Sequence, residues 1–303
     1  MKVFLTGASG FVGRGLARFL TGQGHQVLLL TRSAGNRPDP GPGSSWVEGD
    51  PTRPGPWQDA AAEAEAAVNL AGESIFTRWT PEIKDRILES RVRATRNLVD
   101  ALTSRGRATV LLSASAVGYY GFRGDEDLDE SGTPGRDFLA EVTRQWEAEA
   151  LGAEARGVRT AVMRFGIVLS ADGGALGRML PLFRVGLGGR LGSGRQWFSW
   201  IHRHDLVRAV QFVFERPEAK GAYNFTAPHP ITNREFTRAL ARVIGRPAIL
   251  PAPGFAVRLA LGEFGSVLLE GQKVVPRKLL DLGFDFEFPE IEPALKDLLA
   301  PRD

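Results

Sequence analysis

Short apolar runs alternate with helical patterns along the first half of the chain. Apolar runs predict six strands, at residues 2–6, 26–31, 46–48, 66–71, 110–113 and 160–165. Amphipathic spacing predicts helices between them, at residues 11–21, 80–104 and 138–155. Strands that alternate with helices are typical of βαβ units, in which a helix crosses over between parallel strands. We therefore predict an α/β fold, a Rossmann-type doubly wound parallel sheet.

The alternation of strands and helices lapses in the second half of the chain. Glycine becomes frequent between residues 173 and 194, which predicts a loop-rich lobe there. After it we predict a strand at 196–202, a helix that Asp205 caps and that runs to 215, and a strand at 222–226 that returns to the main sheet. Further helices are predicted at 233–244, 255–269 and 291–299. This pattern divides the chain into a dinucleotide-binding domain (1–172 and about 203–228) and a smaller C-terminal substrate-binding lobe (173–202 and about 229–303).

Composition excludes several classes of function. The 38 basic residues exceed the 35 acidic ones by only three and are scattered, so no nucleic-acid partner is expected. No apolar run is long enough to span a bilayer, so we expect no membrane association and a cytoplasmic location. The absence of cysteine excludes thiolate chemistry. We interpret His202 and His204 as a surface pair and predict no metal site.

A glycine-rich turn joins the first strand to the first helix. Gly7 permits the tight turn, Gly10 lets the backbone approach a pyrophosphate, and Gly13 lets the helix pack against the strand. The free N–H groups at the helix start would then bind the phosphates. We predict dinucleotide binding by the turn residues Gly7, Ser9, Gly10, Phe11, Val12 and Gly13.

The residue that follows the second strand bears on the choice of cofactor. Arg32 stands where an acidic residue would accept a hydrogen bond from the ribose 2′-hydroxyl of NAD. A guanidinium can instead pair with a 2′-phosphate, so NADP(H) is favoured over NAD(H), against the alternative of a solvated strand end. Asp50 follows the third strand and is equally compatible with a contact to the adenine amino group and with a simple Asp-Pro turn.

Several further motifs carry a resemblance that extends over nearly the whole chain. They are Asn69–Glu73, Arg78–Thr80, Ser113–Gly121, Arg164–Leu169, Trp200–His202 and Gly271–Pro276. The chain resembles the NAD-dependent epimerase/dehydratase family of the extended short-chain dehydrogenase/reductase group, in its sugar-nucleotide epimerase-like branch. The resemblance implies a C-terminal substrate lobe and a second set of cofactor-binding residues, namely Arg32, Asp50, Pro51, Leu70, Ala71, Gly72, Ser113, Ala114, Phe165, Gly166 and Ile167. We predict Glu73 and Arg91 as further cofactor-binding residues, although the family often has Asn at the position of Arg91.

The catalytic pair that the resemblance implies is absent. Active members use a Tyr-x-x-x-Lys pair with a nearby Ser or Thr, but no lysine occurs between Lys84 and Lys220. Residues 137–143, where the pair would lie, contain neither tyrosine nor lysine, and Ala114 stands at the Ser/Thr position. Tyr119, Tyr120 and Ser115 are the substitute catalytic candidates, although paired tyrosines in such a turn also serve as packing anchors.

Two functions follow from this combination of motifs. The first is an NADP(H)-dependent oxidoreductase or epimerase that acts on a small polar molecule, with sugars as one class to consider. The second is a non-catalytic NADP(H)-binding sensor, which an intact nucleotide turn without the catalytic pair would also predict. The substrate is unknown, and a homodimer is left open.

Overall fold

The computed structural model describes residues 1–35, 37–106 and 110–300. Its strands are β1 (Lys2–Thr6), β2 (Gln26–Thr31), β3 (Ser44–Glu48), β4 (Ala66–Asn69), β5 (Val110–Ala116), β6 (Asp127–Leu128), β7 (Arg159–Phe165), β8 (Ile167–Ser170), β9 (Trp197–Phe198), β10 (Trp200–His202), β11 (Gly221–Phe225), β12 (Ile231–Thr232) and β13 (Lys273–Val274). Its helices are α1 (Phe11–Gly22), α2 (Trp57–Ala62), α3 (Pro81–Ser104), α4 (Phe138–Leu151), α5 (Gly174–Arg184), α6 (Arg203–Phe214), α7 (Asn233–Ile244), α8 (Gly254–Leu261), α9 (Glu263–Leu269), α10 (Arg277–Asp281) and α11 (Ile291–Leu299), with 3₁₀ turns at Val117–Tyr120 and Glu154–Arg156.

Seven parallel strands form the main sheet, in the order β11-β7-β5-β4-β1-β2-β3. The strand order reverses between β1 and β4, and a ligand of such a sheet binds at the carboxyl ends of the strands beside this reversal. Thr6 is in register with Asn69, and Asn69 with Ser113, so three strands end side by side there. The predicted doubly wound α/β class is confirmed.

Both faces of the sheet are covered, which explains why its strands are apolar at nearly every position. Val3 and Leu5 pack in the layer that contains α1 and α6. Phe4, between them, points the opposite way, into the layer with residues of α2, α3 and α4. Helices α1 and α6 therefore cover one face of the sheet, and α2, α3 and α4 cover the other.

The C-terminal lobe contains more regular structure than the glycine pattern predicted. Residues 174–184 form α5, within the stretch that we predicted to be loop. The segment 255–269 forms two helices and not one, because Gly262 adopts a left-handed conformation with a φ of +62° between them. The predicted strand at 196–202 is interrupted at Ser199, and its second part pairs with β8. The strand β11 joins the main sheet as predicted.

The start of α6 also differs from the prediction. His202 is the N-cap, and its Nδ1 atom accepts a hydrogen bond from the backbone N–H of His204 at 3.0 Å. Asp205 lies in the first turn instead, fully buried, and accepts hydrogen bonds from the backbone N–H groups of Glu287 and Phe288. His202 is only 2% exposed and stacks on Phe288, so the two histidines are not a surface pair. No helix in the described part of the chain is long and apolar enough to cross a membrane.

Candidate functional site

The glycine-rich turn has the geometry of a phosphate cradle. Gly7 has a φ of +65°, and a Cβ atom there would lie 2.6 Å from the carbonyl oxygen of Leu70. A Cβ atom on Gly13 would lie 2.3 Å from the carbonyl oxygen of Gly7, so side chains are excluded at both positions. The first N–H groups of α1 have no side-chain cap, and its first turn has no acidic residue. This arrangement fits the pyrophosphate of a dinucleotide.

The remaining residues of the turn connect it to the lobe. The carbonyl oxygen of Ser9 accepts a hydrogen bond from Arg14 at 3.3 Å. Phe11 is half-buried, and its ring lies against the backbone of Gly173 and Gly174, where an added Cβ would approach it to 2.6 and 3.0 Å. The turn and the start of α5 therefore pack directly against each other.

The carboxyl end of β2 presents two arginines. Arg32 is exposed, and the described chain gives its guanidinium no ion pair or hydrogen bond. Arg37 is held in place, because its Nε donates to Thr31 Oγ1 at 2.8 Å and its guanidinium lies 5.3 Å from the ring centre of Trp46. Sequence reasoning missed Arg37, although a second basic residue soon after the strand was a usable signal. Two guanidinium groups here can bind a phosphate.

Asp50 forms the turn that the sequence also allowed. Its Oδ1 atom accepts hydrogen bonds from the N–H and the hydroxyl of Thr52, at 2.9 and 2.7 Å. Burial raises the pKa of Asp50, but the Thr52 hydrogen bonds and the charges of Arg53 and Arg32 outweigh it and hold the pKa below its usual value. The carbonyl oxygen of the next residue, Pro51, accepts a hydrogen bond from Asn97. Asp50 is ionised and keeps Oδ2 for an amino group.

A buried polar network fixes the strand ends beside the glycine turn. Thr6 donates its hydroxyl to Asn69 Oδ1 at 2.7 Å, and Asn69 Nδ2 donates to Thr95 and Ser113. The Thr6 hydroxyl oxygen also accepts from the backbone N–H groups after β4, at Leu70 and Ala71. Ser113 is fully buried, so its side chain belongs to this network. Sequence reasoning missed Asn69 as the residue that links β1, α3 and β5.

The segment after β4 approaches α3 closely. A Cβ atom on Gly72 would lie 3.0 Å from Cζ of Arg91, which explains the glycine at this position. The N–H of Glu73 donates to the Ser90 hydroxyl at 3.0 Å, while the Glu73 side chain is exposed. Arg91 donates to the carbonyl oxygen of Ile87 and lies over the indole of Trp146, on α4.

Two of the three catalytic candidates belong to a buried network. Ser115 donates its hydroxyl to Glu147 at 2.6 Å, and Glu147 forms a bidentate ion pair with Arg164. Arg164 also donates to the Tyr120 hydroxyl oxygen at 2.9 Å, and that hydroxyl donates to Asn224. Burial is the largest influence on Tyr120 and raises its pKa to about 12. In this arrangement neither hydroxyl is open to a ligand.

Tyr119 differs from both of these candidates. Its ring is half-buried and lies over Arg164, with the guanidinium carbon 3.4 Å from the ring centre. Its hydroxyl makes no hydrogen bond to any residue that the structure describes. The geometry therefore favours Tyr119 among the candidate proton donors.

The β7 end completes the edge of the cleft. Gly166 lies so close to β10 that a Cβ atom would be 2.6 Å from the carbonyl oxygen of Ser199. The N–H of Ile167 donates to the same oxygen at 2.8 Å, which directs the chain away from the main sheet and into β8. Phe165 and Ile167 remain half-buried at this edge, while Ala114 on β5 is buried.

Comparison with known proteins extends over the whole chain. Residues 3–225 match the model of the NAD dependent epimerase/dehydratase family, and residues 252–298 match a domain of unknown function, DUF1731. An Arabidopsis thaliana protein named "Epimerase family protein SDR39U1 homolog, chloroplastic" is 43% identical over 99% of this chain and 87% of its own length. The Bacillus subtilis "Epimerase family protein YfhF" is 38% identical over 100% of this chain and 99% of its own.

Solved structures agree with the sequence matches. The crystal structure of human epimerase family protein SDR39U1 (isoform 2) with NADPH is 35% identical, with a TM-score of 0.85 over 98% of this chain and 99% of that one. The structure of MoeE5 with UDP-glucuronic acid and NAD has a TM-score of 0.80 over 97% of this chain and 96% of that one. At 23% identity, MoeE5 shows similarity of fold alone.

Proposed function

Because the chain belongs to the NAD-dependent epimerase/dehydratase family, we propose that it is an NADP(H)-binding, epimerase-like oxidoreductase that acts on a small polar molecule, with sugars the first class to test. The observation that carries the cofactor choice is the pair of guanidinium groups at the end of β2. Arg32 is unpaired within the described chain, and Arg37 is fixed by Thr31 and Trp46. A 2′-phosphate would neutralise both charges. The human relative solved with NADPH supports the same choice.

Substitution of Arg32 tests the cofactor choice. We expect Arg32→Ala to weaken NADPH binding by about tenfold or more and NADH binding by less than about twofold, because only the 2′-phosphate contact is lost. Arg18→Ala is the matched control, since Arg18 is an exposed arginine on α1. Fluorescence titration with both nucleotides measures the affinities. Equal losses for NADPH and NADH would mean that Arg32 does not contact the 2′-phosphate.

The proposed reaction needs a proton donor in addition to the cofactor. A bound nicotinamide supplies or accepts a hydride. Tyr119 is the proposed proton donor and acceptor, because its hydroxyl is free at the turn after β5 while Tyr120 and Ser115 are buried in hydrogen bonds. Arg164 lies under the Tyr119 ring, with its charge balanced by Glu147. The role of Arg164 is to orient the phenol.

Tyr119→Phe tests this role. Where a substrate pool oxidises NADPH, we expect the substitution to lower turnover by about 10²–10⁴-fold, the usual range for loss of a general acid. NADPH affinity should stay within about twofold, because the ring and its packing remain. Unchanged turnover would remove Tyr119 from the reaction. No turnover on any metabolite pool would contradict the enzymatic proposal itself.

A non-catalytic NADP(H) sensor is the second candidate. It is supported by α4, which has neither the tyrosine nor the lysine of active members and holds Glu147 in a structural ion pair. A sensor predicts that the protein with NADPH differs in conformation from the protein without it, which limited proteolysis of both states would detect. Identical digestion in both states would contradict this alternative. Both proposed functions include a small-molecule partner and a cytoplasmic location. Light scattering of the purified protein tests for a homodimer.

A further inference from the structure

Two elements beside the carboxyl edge of the sheet meet at a contact between two side chains. One element is segment 73–79, which follows β4 and which we call the strap, and the other is α5. The guanidinium carbon of Arg178, in the second turn of α5, lies 4.9 Å from the centre of the Phe76 ring in the strap. A guanidinium at this distance from an aromatic ring makes a cation–π contact. The contact therefore links the end of β4 to α5.

The strap is fixed at both ends and exposed in its middle. At its start, the N–H of Glu73 donates to the Ser90 hydroxyl at 3.0 Å. At its end, Trp79 is only 9% exposed and donates its indole N–H to the carbonyl oxygen of Ile75. Phe76, between these two anchors, is 42% exposed. The middle of the strap can therefore separate from α5 while both anchors remain in place.

On the other side of the contact the helix is fixed and the arginine side chain is free to move. Leu176, Leu180 and Phe183 bury the inner face of α5 in the core of the lobe. Arg178 lies on the exposed face, and the described chain gives its guanidinium no ion pair or hydrogen bond. The Phe76 ring is thus the group that orients this guanidinium. A contact between two exposed side chains is weak enough to open and close while the protein stays folded.

The contact closes a ring around the carboxyl edge of the sheet. One side of the ring is the glycine turn, where Phe11 packs against the start of α5. The opposite side is the end of β4, where the backbone of Gly7 approaches the carbonyl oxygen of Leu70 and the strap begins. Arg178 and Phe76 join these two sides at the point farthest from the sheet. The predicted cofactor-binding residues of the glycine turn and of the β4 end lie at the base of this ring.

A dinucleotide that binds at this edge passes through the ring. Its pyrophosphate is expected at the glycine turn after β1, and its 2′-phosphate at Arg32 after β2. Its nicotinamide is expected in the direction of β5. The strand order β5-β4-β1-β2 places these two ends on opposite sides of the ring. Because each end of the cofactor carries a bulky ring system, opening the contact is an easier route than threading one end through.

We infer that Phe76 and Arg178 form a clasp that opens for NADP(H) to enter or leave. The clasp rests on the proposed function only in requiring that the cofactor binds at this edge. It controls the rate of cofactor exchange and takes no part in the reaction itself. Loss of the clasp therefore speeds both association and dissociation, whereas loss of a direct cofactor contact speeds dissociation alone.

Cross-linking tests whether the ring encloses the cofactor. The chain contains no cysteine, so the double variant Phe76→Cys with Arg178→Cys carries the only two thiols. A short bis-maleimide joins these thiols and closes the clasp covalently. N-ethylmaleimide modifies the same two thiols without joining them and is the matched control. Mass spectrometry verifies the cross-link, and thermal unfolding establishes that each protein is folded.

Stopped-flow fluorescence with NADPH measures the effect of the cross-link. Protein that is cross-linked before NADPH is added should bind it at least about a hundredfold more slowly than the N-ethylmaleimide control, because binding requires the opening. Protein that is cross-linked with NADPH already bound should retain the nucleotide through gel filtration. The control should lose it under the same conditions.

Substitutions test the clasp without a cross-link. Phe76→Ala and Arg178→Ala should each raise the rates of NADPH association and dissociation by about threefold, the effect of one exposed cation–π contact. The double variant should add less than about twofold to either single change, because both remove the same contact. Arg184→Ala is the matched control, since Arg184 is an exposed arginine in the last turn of α5, and it should leave both rates unchanged.

Two results would overturn the clasp. Binding of NADPH by the cross-linked protein at the rate of the control would show that the ring does not enclose the cofactor. Faster dissociation without faster association in Arg178→Ala would make Arg178 a direct cofactor contact. Both results leave the proposed function intact, whereas failure of wild-type protein to bind NADPH would contradict the proposed function and the clasp together.

Discussion

Removal of one partner from the buried ion pair between Glu147 and Arg164 should cost far more stability than the same change in a surface ion pair on the same helix. Arg164 is 4% exposed and forms two hydrogen bonds of 2.8 Å to the Glu147 carboxylate. Glu147→Gln removes the negative charge and leaves the guanidinium buried without its counter-ion. Removal of one partner from a buried pair costs about 3–5 kcal/mol. We expect a loss in that range for Glu147→Gln.

Glu149 provides the matched control, two residues further along α4. It pairs with Arg96, and the two side chains are 25% and 56% exposed. A surface pair contributes about 0–1 kcal/mol, because solvent screens both charges. Glu149→Gln should therefore cost less than about 1 kcal/mol, although the chemical change is the same.

Urea unfolding monitored by circular dichroism measures both losses, provided that the slope of the transition is unchanged. The double variant Glu147→Leu with Arg164→Met should recover part of the loss, because no unpaired charge remains buried. Losses for Glu147→Gln and Glu149→Gln that agree within about 0.5 kcal/mol would refute the reasoning, since burial would then make no difference.

Two further predictions concern other parts of the molecule. Burial raises the pKa of Tyr120 to about 12, so its contribution to stability is fully present below pH 10 and is lost between about pH 10 and 12. Tyr120→Phe should therefore reduce the fall in the free energy of unfolding over this pH range. An unchanged pH profile of the free energy of unfolding would contradict the prediction. Asp205→Asn should lower the free energy of unfolding by about 1–3 kcal/mol and increase amide exchange at Phe288, because one accepting oxygen becomes a donor. Unchanged exchange at Phe288 would show that the Asp205 carboxylate does not hold this backbone N–H.

The parts of the fold that the sequence predicted are those where the signal is local. The first strand, the glycine turn and α1 follow one another within a few residues, and their boundaries agree with the prediction to within one residue. The helix α5 was missed because glycines and Pro181 obscure its pattern. The spacing of Leu176, Leu180 and Phe183, the buried face of α5, was the signal that could have identified it.

The candidate site was less predictable, because its hydroxyl groups are distinguished by distant residues. Ser115 is bound to Glu147, 32 positions away, and Tyr120 to Asn224, 104 positions away. A local sequence pattern does not indicate contacts between such distant positions. The sequence therefore predicted the candidate hydroxyl groups but could not distinguish the buried ones, on Ser115 and Tyr120, from the free one on Tyr119. The phosphate cradle is different, because Gly7 and Gly13 are required by the backbone of the turn itself.

The contacts of α4 leave Tyr119 as the candidate proton donor. The inner face of this helix carries Glu147, whose carboxylate is committed to Arg164 and Ser115. The Glu147 carboxylate is therefore not free to exchange a proton with a ligand. Tyr119 is the one candidate whose hydroxyl has no partner within the described chain, and the same buried ion pair holds the guanidinium beneath its ring. Turnover on a metabolite pool separates an enzyme from a sensor, and a loss of that turnover in Tyr119→Phe would then assign the proton exchange to Tyr119.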